Sequence, residues 1–132
     1  MRHAAVEEWE KRLDQVMHEL DAFLEEQYAG TYVLHPARPL RGRTANPSHD
    51  GLFNIAANFT LGLGSKIGKG YVVDIRLVTL EHVSAAVRDE IEDAAMQQLM
   101  TLIPKHFPDT HLQVKKDGPV VKIFGDLSLG KA

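Results

Sequence analysis

Three arginines in a proline-interrupted stretch are the residues best suited to chemistry in this chain. Arg38, Arg41 and Arg43 lie within a run from His35 to Asp50 that also carries Asn46, His49 and Asp50. A guanidinium is permanently charged and presents a planar fork that matches phosphate or carboxylate oxygens. Pro36, Pro39 and Pro47 restrict the backbone and lower the entropy lost when such a loop is ordered. The expected chemistry is recognition of an anionic group, with Arg41 and Arg43 as principal contacts and Arg38, Asn46, His49 and Asp50 in support. The anion belongs to a small molecule or to a partner protein. A structural alternative stands beside it, in which the arginines clamp onto the acidic helices. Asn46-Pro47-Ser48-His49-Asp50-Gly51 is also ordinary turn chemistry ahead of a strand.

Two other constellations are weaker. Gly62, Gly64, Gly68 and Gly70 with Lys66 and Lys69 could hold a phosphate on backbone N–H groups. The spacing is not that of a Walker loop, no Ser or Thr follows Lys69, and a strand rather than a helix comes next. A flexible hairpin tip is the simpler reading. His49 and Asp50 could serve a hydrolase or transferase, with His35, His82 or Asp74 nearby, but no pair has helical metal-motif spacing. The balance leans away from an enzyme, and the motifs imply no metal and no cofactor.

Charge segregation frames these candidates. Residues 1–28 carry three basic and eight acidic side chains, whereas residues 29–80 carry six basic and two acidic. Residues 81–104 are acidic again, with one basic side chain against five acidic, and residues 105–132 carry five against three. With a net charge of −3 the chain does not look like a general nucleic-acid binder, which is more often basic overall. No apolar run reaches membrane-spanning length, and the N-terminus turns acidic at once, unlike a secretory signal. The absence of cysteine removes disulfides and thiolate metal sites, and fits a cytoplasmic protein.

The elements that must position the arginines follow from periodicity. Residues 4–28 predict an amphipathic helix with a seam of Val6, Trp9, Leu13, Val16, Leu20 and Phe23, ended by Gly30. That seam packs on its own sheet, or alternatively pairs residues 6–23 with a second copy as a homodimer. Residues 53–63 alternate as a half-buried strand, with Phe53, Ile55, Ala57, Phe59, Leu61 and Leu63 facing the core. Residues 71–78 form its hairpin partner. A second helix spans residues 84–103, capped by Ser84 and closed by Pro104 and Pro108. A second hairpin runs through 111–116 and 120–124, with Leu112, Val114, Val121 and Ile123 inward and Gln113, Lys115 and Lys122 outward. Pro119 lacks the N–H that would close a two-residue turn after Asp117-Gly118, so a longer loop is expected.

The whole is one domain, residues 1–132, of the α+β class: helix 1–28, basic loop 29–51 and a ββαββ core from residue 52. The simplest arrangement is a two-layer sandwich, with helices on one face of a four-stranded antiparallel sheet. Its open face would carry Asn54, Asn58, Thr60 and Arg76 with the outward lysines. Phe124 is the one aromatic there with the right parity, too few for a single-strand stacking platform. The leading expectation is a small binding or accessory domain, and a structural homo-oligomer subunit is the further alternative.

Overall fold

In a computed structural model, which describes residues 4–64, 67–117 and 120–125, the first helix, α1, spans Ala4–Gln27. Its buried side chains are Trp9, Leu13, Val16, Met17, Leu20 and Leu24, with Phe23 partly covered. This stripe is wider than the expected seam because α1 rests on both the sheet and the second helix. It adds Met17 and Leu24, and burying a Leu-sized side chain stabilises by about 2 kcal/mol. The side chains that suggested pairing with a second copy, Trp9 to Leu20, therefore lie in the protein's own core; that of Val6 is outside the described residues. Gly30 ends the helix at φ +78°, a conformation that glycine adopts without strain.

The first strand, β1, spans Phe53–Thr60 and pairs antiparallel with β2, Gly70–Leu77, from Phe53↔Leu77 to Thr60↔Gly70. β1 is shorter than the expected run to residue 63. The alternation continues in sequence, but pairing with β2 stops at Thr60↔Gly70, and Phe59, Leu61 and Leu63 are 51%, 64% and 90% exposed. The glycine-rich segment between the strands serves the backbone. At Gly62, φ is +70° and a Cβ would meet the Gly68 carbonyl oxygen at 1.9 Å, so only glycine fits. Ser65 and Lys66 are outside the described residues.

The second helix, α2, spans Ala85–His106, and the Ser84 side chain accepts the Val87 N–H at 3.2 Å as its N-cap. Pro104 does not close it. The helix continues to His106 at the cost of one intrahelical hydrogen bond. Its end is held by the Phe107 N–H, which donates to the Ile103 oxygen at 2.8 Å, and by the burial of Phe107. β3, Leu112–Asp117, and β4, Val120–Gly125, follow. They pair up to Asp117↔Val120, so two residues join them rather than the longer loop expected from Pro119. Gly118 and Pro119 themselves are outside the described residues.

The sheet order is β1-β2-β4-β3, antiparallel throughout, in the α+β architecture expected. The core draws on α1, α2 and all four strands. Trp9 stacks on Tyr71 with ring centroids 4.9 Å apart and lies 5.0 Å from Phe107, joining α1, β2 and the end of α2. One outward assignment fails. Lys122 is 2% exposed, because the glycine-rich segment folds over it, and its Nζ donates to the Gly68 oxygen at 2.9 Å and pairs with Asp117 at 2.5 Å.

Candidate functional site

The basic loop lies along the second half of α1 and is tied down from both ends. Its start joins the sheet where the His35 N–H donates to the Val78 oxygen at 2.9 Å, and its end where the Val78 N–H donates to the Leu52 oxygen at 2.7 Å. Within the loop the Gly51 N–H donates to the Pro39 oxygen at 3.0 Å. Gly51 has φ +73°, and a Cβ there would meet Glu25 Oε1 at 2.4 Å, so glycine lets the chain pass against α1.

Each arginine has a different task. Arg38 turns inward: Nε donates to the Gly51 oxygen at 3.1 Å, and Nη2 to the Asp50 and Phe53 oxygens at 3.2 and 3.0 Å. It holds three backbone carbonyls at the junction of loop and β1. Arg41 Nη1 pairs with Asp21 on α1 and makes a charge-assisted hydrogen bond there. The rest of its guanidinium has no hydrogen-bond partner among the described residues. Arg43 is exposed. The structural alternative thus describes Arg41 on an acidic helix, while Arg38 grips the backbone instead.

Asn46, His49 and Asp50 separate. The Asn46 oxygen accepts from the His49 N–H and from Thr44 Oγ1, and Pro47–His49 form one 3-10 turn. The His49 side chain is exposed, whereas Asp50 is 1% exposed. Asp50 Oδ2 accepts the Thr44 N–H at 3.0 Å and its hydroxyl at 2.8 Å. Burial pushes this carboxyl up, but the Thr44 hydroxyl and N–H, the Gly42 N–H and the Arg41 charge outweigh it and hold the group below the usual carboxylate range. Asp50 is therefore an ionised staple inside the loop, buried where the His49 side chain is exposed. The side chain of Ser48 is outside the described residues.

Asp21, Glu25 and Thr44 are the residues that sequence reasoning missed. Asp21 is 1% exposed, and burial drives its carboxyl to about 6 against the opposing pull of Arg41, with the Glu25 and Asp50 charges adding to the rise. A signal for it was present, since Asp21 falls four residues after Met17 and three before Leu24, on the apolar stripe. Glu25 Oε1 accepts the Phe53 N–H at 3.0 Å. The remaining oxygens, Asp21 Oδ2 and Asp50 Oδ1, are buried with no hydrogen-bond partner among the described residues. Among those residues no group of three or more His, Asp or Glu is placed to hold a metal ion.

Loop and helix enclose a groove of about 460 Å³. Its apolar surface comes from Tyr28, Tyr32, Leu34, Leu40 and Leu52, and Arg41, Glu25 and Glu26 stand along its sides. Tyr28 is buried apart from its hydroxyl contact with Glu90 at 3.1 Å, and burial together with that carboxylate pushes its ionisation up to about 12. A smaller cleft of about 220 Å³ lies between the end of β2 and α2, with Arg76, Glu81, Arg88 and Glu92 around Ile75, Leu77 and Ile91. Neither cleft is lined by His49 or Asp50. No described helix is long and apolar enough to cross a membrane.

The segment that builds this loop, groove and sheet is the one shared with known proteins. A family described as "Uncharacterised protein" matches residues 4–125. The chain belongs to that family. A relative described as "Uncharacterized protein" from Borreliella burgdorferi (strain ATCC 35210 / DSM 4680 / CIP 102532 / B31) is 36% identical over 118 residues, covering 89% of this chain and 92% of the relative. The family match therefore takes in both helices, the basic loop and all four strands. No solved structure matches the chain.

Proposed function

We propose that the protein is a binding domain whose groove between α1 and the basic loop takes a ligand with an apolar body and an anionic end. The observation that carries this reading is the joining of an apolar concavity to Arg41, whose guanidinium is fixed by Asp21 on one side only. Small-ligand sites combine apolar walls with a few placed polar groups. Pairing with the buried Asp21 carboxylate holds the Arg41 fork in position before any ligand arrives, which lowers the entropic cost of binding. Glu25 is engaged by the Phe53 N–H and does not compete for the fork. Arg43, exposed and two residues further along the same loop, adds a second positive charge in this reading. In this reading Arg38 and Asp50 hold the loop, and Arg41 and Arg43 meet the anion.

The test is an amide-resolved NMR titration with octanoate, inorganic phosphate and octanol. Octanoate should shift amides in 28–34, 40–41 and 51–52 more than phosphate or octanol does. Ala29→Trp, an exposed position on the groove wall, should abolish those shifts and leave the melting temperature unchanged. Arg43→Ala should weaken octanoate and leave octanol unaffected. If octanoate perturbs no groove amide at millimolar concentration, or perturbs the Ala29→Trp variant equally, the reading fails.

A further inference from the structure

β1 is an outer strand, and its register fixes which backbone groups turn away from the sheet. The Val78 N–H donates to the Leu52 oxygen, so even-numbered residues from Leu52 onward bond toward β2. Phe53, Ile55, Ala57 and Phe59 then point their N–H and C=O groups outward. At Phe53 both are occupied, the N–H by Glu25 and the oxygen by Arg38, so the basic loop closes that end. The outward groups of Ile55, Ala57 and Phe59 have no hydrogen-bond partner among the described residues. The open window is three outward residues centred on Ala57.

Nothing in this edge resists pairing. From Gly51 to Gly64 the chain holds no charged residue and no proline, the two devices that most often protect an outer strand. Phe59 is half exposed, and Leu61 and Leu63 continue the apolar face beyond it.

We infer that this edge pairs antiparallel with the same edge of a second copy, about a two-fold axis at Ala57. The window is symmetric about that residue, so Ala57 meets Ala57 and Ile55 meets Phe59 in both directions, forming about six backbone hydrogen bonds. The half-exposed Phe59 gains a cross-strand apolar neighbour in Ile55, and no charged side chain of one strand meets another. Small side chains at Ala56 and Ala57 allow close approach at the axis. Beside the edge, Glu10 and Asp14 of α1 border a hollow of about 250 Å³ with Leu13, Ala57 and Tyr71. Two-fold pairing brings these carboxylates toward their counterparts, so added salt strengthens association by screening them.

Sedimentation equilibrium of the full chain between about 1 µM and about 1 mM tests this, because mass action populates the dimer at the upper end. The wild type should show a monomer–dimer equilibrium that tightens with salt. Ala57→Lys places a charge at the axis, and Ala57→Pro deletes an outward N–H without touching the bonds to β2. Each should weaken dimerisation at least tenfold, with circular dichroism confirming the fold, and the two variants fail by different routes. In hydrogen exchange, the Ile55, Ala57 and Phe59 amides should gain protection as wild-type concentration rises. A wild type monomeric throughout, or a dimer unchanged in a folded variant, overturns the inference.

Discussion

The two outer strands of this sheet are finished in opposite ways. β3 reads Leu112-Gln113-Val114-Lys115-Lys116-Asp117, with three successive charges at its far end. Lys116 lies 3.1 Å from Asp93 and 3.6 Å from Glu92, so the edge is fastened to α2 as well as charged. β1 carries no charge at all and is protected at one end only, where Glu25 and Arg38 engage Phe53. The difference teaches what the basic loop does before any ligand is considered. Its position in the chain, just ahead of an unguarded strand, makes Arg38 an edge cap and Asp50 the staple that holds the cap in place.

Breaking that staple should give the largest effect. Asp50→Ala removes a buried carboxylate, leaves the Thr44 N–H without its acceptor and leaves the Thr44 hydroxyl only the Asn46 oxygen, and truncation of this kind costs about 3 kcal/mol. Urea denaturation at pH 7 measures it, and hydrogen exchange at Phe53 should rise while β3 amides remain protected. The sign of the pH dependence follows from the carboxyl being held low in the folded state. Its contribution is present above the ordinary value near 3.8 and is lost as the pH falls through the lower folded value. A wild-type stability of Asp50 that grew on acidification would refute the staple.

Much of this architecture was legible in the residues, and the parts that were not share a cause. Period-two and helical spacing placed the helices and strands, Ser84 marked the start of α2, and Gly30 marked the end of α1. These signals are local. Phe59, Leu61 and Leu63 alternate as a buried strand should, yet they are exposed, because burial depends on what packs against the strand and the strand does not encode that. Lys122 reads as a solvent-facing lysine until a segment more than fifty residues earlier folds over it. The loop's positive charge was visible, but the division of labour among its arginines depends on carbonyl and carboxylate positions set by tertiary contacts. Asp21 is the exception, since an acid on an apolar stripe is a local anomaly.

That anomaly supplies the second way to sharpen the comparison, because Asp21 anchors the loop side of the molecule and has no counterpart in the Lys116 contacts. Burial raises the Asp21 carboxyl to about 6 in the folded protein from an ordinary value of 3.8. A group raised in this way contributes stability fully below its unfolded value and loses it as the pH climbs through the folded one. Asp21→Asn removes the titration and keeps an acceptor for Arg41. Relative to wild type, the variant should therefore gain on the order of 2–3 kcal/mol between pH 4 and pH 7.5. Asp50 and Glu19, both held low, titrate in each protein and cancel in the difference. Thermal melts across that range check it. A difference that moves the other way would mean that the ionised pair with Arg41 outweighs its desolvation.

The smallest expected effect lies on the guarded side. Ser84→Ala removes the hydroxyl oxygen that accepts the Val87 N–H, a loss worth about 1 kcal/mol for an N-cap. The cost itself is ordinary, so its location is what discriminates. α2 packs against β3 and β4, and its first half carries Glu92 and Asp93, the partners of Lys116. Uncapping should therefore raise hydrogen exchange in the first turn of α2 and, more weakly, at the β4-bonded amides of Gln113 and Lys115. The β2-bonded amides of Asn54, Ala56 and Asn58 should not respond, because β1 is held by β2, α1 and the basic loop. A uniform loss of protection across both edges would show that the sheet opens as one unit, and the two edges would then differ in chemistry without differing in stability.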